Sequence, residues 1–157
     1  MTTATEIREI KHRCLELMSR VNDLYFSTVD GNGFPFVRCM FNLRCAARFP
    51  GLVELFRGHD EDLAVYLGTN TSSAKVRQLR ADNRAAVYYC EPERFRGLML
   101  QGVVTAVEDE AFKKALWQPG WEMYYPQGPT DPDFTVLRLS PVRARGWWEG
   151  GPFDIAV

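Results

Sequence analysis

The tetrapeptide Asp30-Gly31-Asn32-Gly33 lies between two apolar runs, Leu24 to Val29 and Phe34 to Leu43. Glycine and asparagine accept the positive φ of a tight hairpin turn, so this segment predicts two strands joined end to end. In the second run the odd positions Pro35, Val37, Cys39, Phe41 and Leu43 are all apolar. The even positions Phe34, Phe36, Arg38, Met40 and Asn42 are mixed. Side chains alternate between the two faces of a strand. The odd face is therefore expected in the core, with Cys39 a buried thiol, and the even face is expected to meet something partly polar.

The remaining chain continues this pattern. Thr3 and Glu6 have capping-box spacing, and Ile7, Ile10, Cys14, Leu17 and Met18 recur on one face of a helix that should end near Arg20. Arg44 to Asp62 reads as a long connection with a short helix near 52–56. Further strands are predicted at 63–68, 85–90, 98–107 and 134–139, the last of these with a break at Pro141. Helices are predicted at 73–81 and 109–117, with Asp109 and Glu110 placed against the N-terminal dipole of the second. The Pro- and Gly-containing stretch 118–132 reads as a loop. Six strands joined by hairpins and short helices predict a mainly β (α+β) antiparallel barrel with helices packed on it. Strands and long helices do not alternate, which argues against a doubly wound parallel sheet.

A chain of 157 residues is expected to form one domain. At this length about 70% of the unfolded surface can be buried, so no disulfide or metal is needed for a core. A net charge of −1 gives no electrostatic reason to expect nucleic acid. No apolar run approaches the roughly 18 residues of a membrane span. Cys14, Cys39, Cys45 and Cys90 form no C-x-x-C pair and follow no secretory signal. A reducing cytoplasm with free thiols is the expected setting.

The segment most telling of function is Thr69-Asn70-Thr71-Ser72-Ser73-Ala74-Lys75-Val76-Arg77. A strand ends, hydroxyl and amide side chains follow, and a helix begins. Helix N-termini carry free N–H groups and partial positive charge, so Lys75 and Arg77 stand at the unfavourable end. A bound phosphate would reverse that balance, with Lys75 and the hydroxyls completing an anion site. An N-cap at Ser72 with solvated basic residues fits the same pattern.

In order along the chain, several segments resemble the pyridoxamine 5′-phosphate oxidase-like family, in particular the branch related to general stress protein 26. They are Ser27 to Pro35 at the hairpin, Val37-Arg38-Cys39-Met40 (with Cys39 where the family usually has proline), Thr69 to Leu79, Gln101 to Val107, Leu116-Trp117, Asp131-Pro132-Asp133, and Ser140-Pro141 through Trp147. The resemblance implies a split β-barrel homodimer holding FMN at the subunit interface. It implies that Arg38 and Met40 line the isoalloxazine and that Thr69, Ser73 and Lys75 hold the phosphate. Gln101, Trp117 and Trp147 are further cofactor-binding candidates, for contact with the flavin of the other subunit. The chain departs from the pyridoxamine phosphate oxidases themselves at its C-terminus, Trp147 to Val157, which lacks their Arg/His substrate motif. Oxidation of vitamin B6 is therefore not expected. The connection from Arg44 to Asp62 is long for the family and is expected at the mouth of the flavin site.

Other motifs favour plainer readings. Gly31-x-Gly33 lacks the third glycine and following helix of a dinucleotide fingerprint. His12 and His59 are the only histidines, so no metal site is expected, and a haem would lack its usual ligand. Trp117, Trp121, Tyr124 and Tyr125 read either as an aromatic wall or as packing. Arg138, Arg143 and Arg145 read as solvated charges. The leading expectation is an FMN-dependent oxidoreductase acting on an unknown small molecule, with no catalytic side chain assigned. The alternatives are a non-catalytic flavin carrier or sensor linked to stress, and a split barrel holding a deazaflavin or haem.

Overall fold

Thr3 and Glu6 open the first helix as their spacing predicts. In the computed structural model, which describes residues 2–157, Thr3 Oγ1 accepts the Glu6 amide at 3.2 Å and Glu6 Oε2 accepts the Thr3 amide at 2.6 Å. Helix α1 (Ala4–Arg20) then buries Cys14, Leu17 and Met18 against the sheet. Leu17 and Met18 each contribute roughly 1.5–3 kcal/mol by full burial. The hairpin also forms as expected. Asp30 Oδ1 accepts the Asn32 and Phe34 amides at 2.8 and 2.9 Å, and Gly33 takes a φ of +84°. This fixes the register of β1 (Asp23–Val29) on β2 (Pro35–Phe41), from Val29 opposite Pro35 to Asp23 opposite Phe41.

The other elements are α2 (Val53–Arg57), β3 (Val65–Asn70), α3 (Ala74–Ala81), β4 (Arg84–Glu91), β5 (Arg96–Ala106), α4 (Glu110–Leu116), β6 (Phe134–Trp148) and β7 (Gly151–Ala156). They form one antiparallel sheet in the order β2-β1-β4-β5-β6-β3, with β7 also paired to β6. The sheet curls into a half-barrel with the helices on its flanks, which is the expected fold class. It has seven strands among the described residues, where the sequence reading gives six. The extra strand is β7, whose Gly, Pro and Asp residues weaken its strand pattern.

Pro141 does not break β6. The ladder of β5 on β6 shifts register between Gln101 and Gly102: Gly102 faces Pro141, Gln101 faces Arg143, and Val142 bulges out unpaired. A bulge is one of the few places where proline, which has no N–H to donate, fits a sheet. The extra residue also shifts the buried positions of β6 from odd to even, while the same face of the sheet stays inward. Leu137, Leu139 and Pro141 point inward before it, and Ala144 and Trp148 after it.

The expected faces of β2 are reversed. Met40, Arg38 and Phe36 lie opposite Leu24, Phe26 and Thr28 of β1, which are at most 1% exposed. Directly paired residues share a face, so the even set of β2 turns toward the interior. Pro35, Val37, Cys39 and Phe41 lie on the outer face and are exposed. The expected burial of Cys39 therefore fails. All four cysteines are free thiols.

The connection after β2 builds a second core. Leu43, Phe49, Leu52 and Phe56 pack with Tyr66, Leu116, Trp121, Tyr125, Phe134 and Val136. Arg44 pins it, donating to Asp60, to the His59 carbonyl and to the Ala64 carbonyl. No helix among the described residues is long and apolar enough to cross a membrane.

A Cβ at residue 102 would run into the Ser140 carbonyl and the Pro141 backbone. Gly102→Ala should therefore lower unfolding stability by about 2–3 kcal/mol, as overpacking against rigid backbone does. Urea unfolding checks this, and an unchanged midpoint would contradict the close approach.

Candidate functional site

β2 and β3 end the sheet path and face each other across an opening. A cavity of about 540 Å³ fills it, lined by Asp23, by Arg38 to Phe41 of β2, by Gly68, Thr69 and Asn70 of β3, by Lys75 of α3, and by Tyr124 and Tyr125. That volume suits a cofactor-sized ligand.

The sequence places Lys75 at the second residue of α3, after the N-cap Ser73. Its Nζ donates to Thr69 Oγ1 at 2.8 Å. Burial, and then the positive charge of Arg38, lower its pKa. Burial also lowers the pKa of Arg38. The Arg38 guanidinium donates to Thr28 Oγ1 at 2.9 Å and to Gln78 Oε1 at 3.0 Å, and lies over the Phe36 ring at 4.5 Å. Among the described residues, no carboxylate forms an ion pair with either cation. The buried arginines elsewhere do have such partners. Arg44 meets Asp60 at 2.9 Å, and Arg96 meets Glu149 at 2.5 Å. Asp23, the carboxylate lining the cavity, lies 3.4 Å from Arg48.

A third feature points the same way. Ser73 does not cap its helix with its side chain, and its Oγ is buried without a partner. Buried hydroxyls are normally paired. An orphan hydroxyl, a lysine and an arginine at a helix N-terminus form a set of donors suited to an anion. The preceding loop is braced from across the sheet. Asp133 accepts the Ser72 amide at 2.8 Å, Ser72 Oγ at 3.1 Å and Asn70 Nδ2 at 2.7 Å.

The eight sequence-derived candidates thus divide. Arg38, Met40, Thr69 and Lys75 line one cavity, and Ser73 begins the helix that carries Lys75. Gln101 sits beside Ala86 and Arg143 in the sheet, away from the cavity lining. Trp117 packs behind the cavity, T-shaped on Trp121 at 5.8 Å and on Phe134 at 5.2 Å. Trp147 is 54% exposed on the far side of the barrel, in a shallow hollow with Tyr88, Phe95 and Arg96. The four aromatics of the 117–125 segment divide the same way. Tyr124 and Tyr125 line the cavity, while Trp117 and Trp121 pack behind them. The Tyr125 phenol is pushed up to about 12 by burial and by the nearby Asp133 and Asp131 charges.

Thr28 and Gln78, which hold Arg38, are absent from the sequence-derived set. The signal for them is the hairpin register combined with the i, i+3 spacing of Gln78 from Lys75. The 44–62 connection contributes nothing to the cavity lining, against the expectation that it sits at the mouth. It borders a separate hollow of about 510 Å³ beside α1, where Arg44 is fully engaged. Arg143 and Arg145 pair with Asp154, and Arg138 with Asp62, while their side chains stay 35–50% exposed, so these solvated charges are also paired.

Residues 56–156 match the family described as pyridoxamine 5′-phosphate oxidase like. The chain belongs to this family. A Clostridium acetobutylicum protein related to general stress protein 26 has a similar structure, with 28% identity, a TM-score of 0.74 and 95% of both chains covered. General stress protein 26 of Bacillus anthracis aligns at 15% identity and a TM-score of 0.72, over 95% of this chain and 99% of that one. A haem-binding protein from Mycobacterium smegmatis aligns at 17% identity and a TM-score of 0.66, over 93% of this chain and 57% of that one. No curated protein matches in sequence. The split-barrel fold common to these neighbours agrees with the opening between β2 and β3 that holds the family member's cavity here.

Hydrogen bonds from Asn70 and Ser72 hold the pKa of Asp133 below the usual carboxylate value. A carboxylate with a lowered folded pKa stabilises the fold above its unfolded value near 3.9, and that stabilisation is lost as pH falls through the folded value. The brace should therefore persist at neutral pH and fail in acid. Asp133→Ala should remove it at every pH and speed hydrogen exchange at the Ser72 amide by at least about tenfold. Unchanged exchange would show that the loop holds itself.

Proposed function

We propose that this protein binds FMN in the cavity between β2 and β3 and acts as a flavin-dependent oxidoreductase on a small molecule. The observation that carries this reading is the pair of cations without carboxylate partners, Arg38 and Lys75, beside the orphan Ser73 hydroxyl. Lys75, Ser73 and Thr69 would hold the phosphate, and Arg38 and Met40 would border the ring system. When bound, FMN supplies the redox chemistry. The protein's share is to bind it, orient it against the two tyrosines and place positive charge beside it. The family fits this reading, and so does the cavity volume.

The second cation deepens the assignment. A phosphate carries nearly two negative charges at neutral pH, so it can compensate Arg38 and Lys75 together. Haem is less well supported here, because neither His12 nor His59 lines the cavity and His59 is engaged with Tyr66 Oη at 3.1 Å.

The active unit under this reading is a homodimer in the cytoplasm. The outer face of the sheet carries Val37, Phe41, Tyr25, Tyr88 and Trp147, all at least 40% exposed. Apolar patches of this kind mark contact surfaces. A symmetric partner would cover them and bring its own Trp147 and Gln101 toward the flavin. Vitamin B6 phosphates remain poor substrates in this account, since the C-terminal arginines Arg143 and Arg145 are already paired with Asp154.

FMN should bind more tightly than riboflavin, and Lys75→Ala should cost about 1–3 kcal/mol of FMN affinity, the scale of a charge-assisted bond. Fluorescence titration measures both. The lowered pKa of Lys75 gives the pH dependence its sign. The binding form is the protonated one, so FMN affinity should fall on the alkaline side earlier than an ordinary lysine titrates, near 10.4. The titratable neighbours in the cavity are Asp23, Arg38, Cys39, Tyr124 and Tyr125. Lys75→Arg should move the alkaline loss upward, and equal profiles in the two proteins would contradict the assignment.

A further inference from the structure

Arg38 is held in an unusual way for a half-buried arginine. The two hydrogen bonds it donates go to neutral oxygens, Thr28 Oγ1 and Gln78 Oε1, and the Thr28 hydroxyl donates to the same Gln78 oxygen at 2.6 Å. Thr28 is 1% exposed. Arginine can only donate, so the Gln78 amide must present its oxygen here. The reverse orientation would set an NH₂ group against the guanidinium. The triangle ties β1, β2 and α3 together, and α3 is also the helix that carries Lys75.

A glutamate at position 78 would have the same shape and accept the same two hydrogen bonds. It would also be the strongest partner Arg38 could have, as Asp60 is for Arg44. Glutamine gives the geometry of an ion pair without the charge. The consequence is a cavity that keeps both of its positive charges, at the cost of placing Arg38 and Lys75 near each other. That cost is one the bound anion relieves.

Resting on the flavin reading above, we propose that Gln78 is the positioning residue for Arg38, and that its neutral amide sets the charge of the site and hence its selectivity for a phosphate-bearing ligand. A positioning role of this kind separates stability from binding. Gln78→Glu should weaken FMN binding by about tenfold or more, the scale of one charge-assisted contact. The same variant should leave the melting temperature of the flavin-free protein unchanged or raise it, because a repelled cation gains a partner. Its FMN affinity should also depend less steeply on salt, since one positive charge facing the ligand has been cancelled. Gln78→Met removes the acceptor and adds no charge. It should weaken binding by only a few fold and keep the parent's salt dependence.

The experiment is a titration of the parent, Gln78→Glu, Gln78→Met and Lys75→Ala proteins with FMN at two salt concentrations, with melting curves of the flavin-free forms. Weak binding with an unimpaired melting temperature in Gln78→Glu supports the inference. Equal affinity in the parent and Gln78→Glu overturns it while the flavin reading stands. Loss of both affinity and melting temperature in Gln78→Glu also overturns it, because that is the behaviour of a merely structural residue. A parent that binds FMN no better than Lys75→Ala overturns the flavin reading and this inference with it.

Discussion

The bulge at Val142 is the constraint on which the rest of the structure depends. β6 is the one strand shared by both parts of the sheet, pairing β3 through residues 134–139 and β7 through residues 143–148. A regular strand of fifteen residues would point the same alternate positions inward along its whole length. The extra residue bends the strand and shifts its inward positions from odd to even, so that Leu137 and Leu139 before it and Ala144 and Trp148 after it serve the same core. Gly102 makes this possible by letting β5 approach the Ser140 carbonyl more closely than any side chain would permit. The curl that follows leaves β2 and β3 as facing edges. Unpaired edges are ordinarily a liability, and here they border the cavity.

The charges then follow from the opening. β2 contributes Arg38 from its inward face, β3 contributes Thr69, and the helix that must follow β3 starts with Ser73 and Lys75. None of these side chains is placed by an ion pair. Thr28, Gln78 and Thr69 hold the cations by neutral acceptors, and Asp133 spends its charge on the loop backbone rather than on Lys75. A fold under selection for stability alone would neutralise half-buried cations, as this one does at Arg44 and Arg96. The cavity between β2 and β3 places two such cations beside each other, which makes it the candidate binding site.

Much of this was legible in the sequence. The capping box of Thr3 and Glu6, the turn at Asp30 to Gly33, and the strand-to-helix transition at Thr69 to Lys75 are local chemistry, and each forms as read. The faces of β2 were not legible from its own composition, because Val37, Cys39 and Phe41 are as apolar as a core row. Their partners decide the matter. The hairpin register sets Met40 against Leu24 and Arg38 against Phe26, and the buried face of β1 carries β2 with it. Pro141 interrupts the local strand pattern of β6 because proline has no N–H to give the ladder, and only the bulge, a tertiary feature, makes the residue acceptable there. The Arg38 triangle spans three elements fifty positions apart in sequence at its widest, so no local pattern could reveal it.

The central claim is that the opening between β2 and β3 is a flavin phosphate site completed by a second copy of the chain. Native mass spectrometry of the protein as isolated, read together with its visible spectrum, tests this most directly. The account predicts a dimer carrying two FMN molecules and an oxidised-flavin spectrum. A dimer carrying haem or a deazaflavin, or a monomer that takes up no FMN when it is supplied, would contradict it.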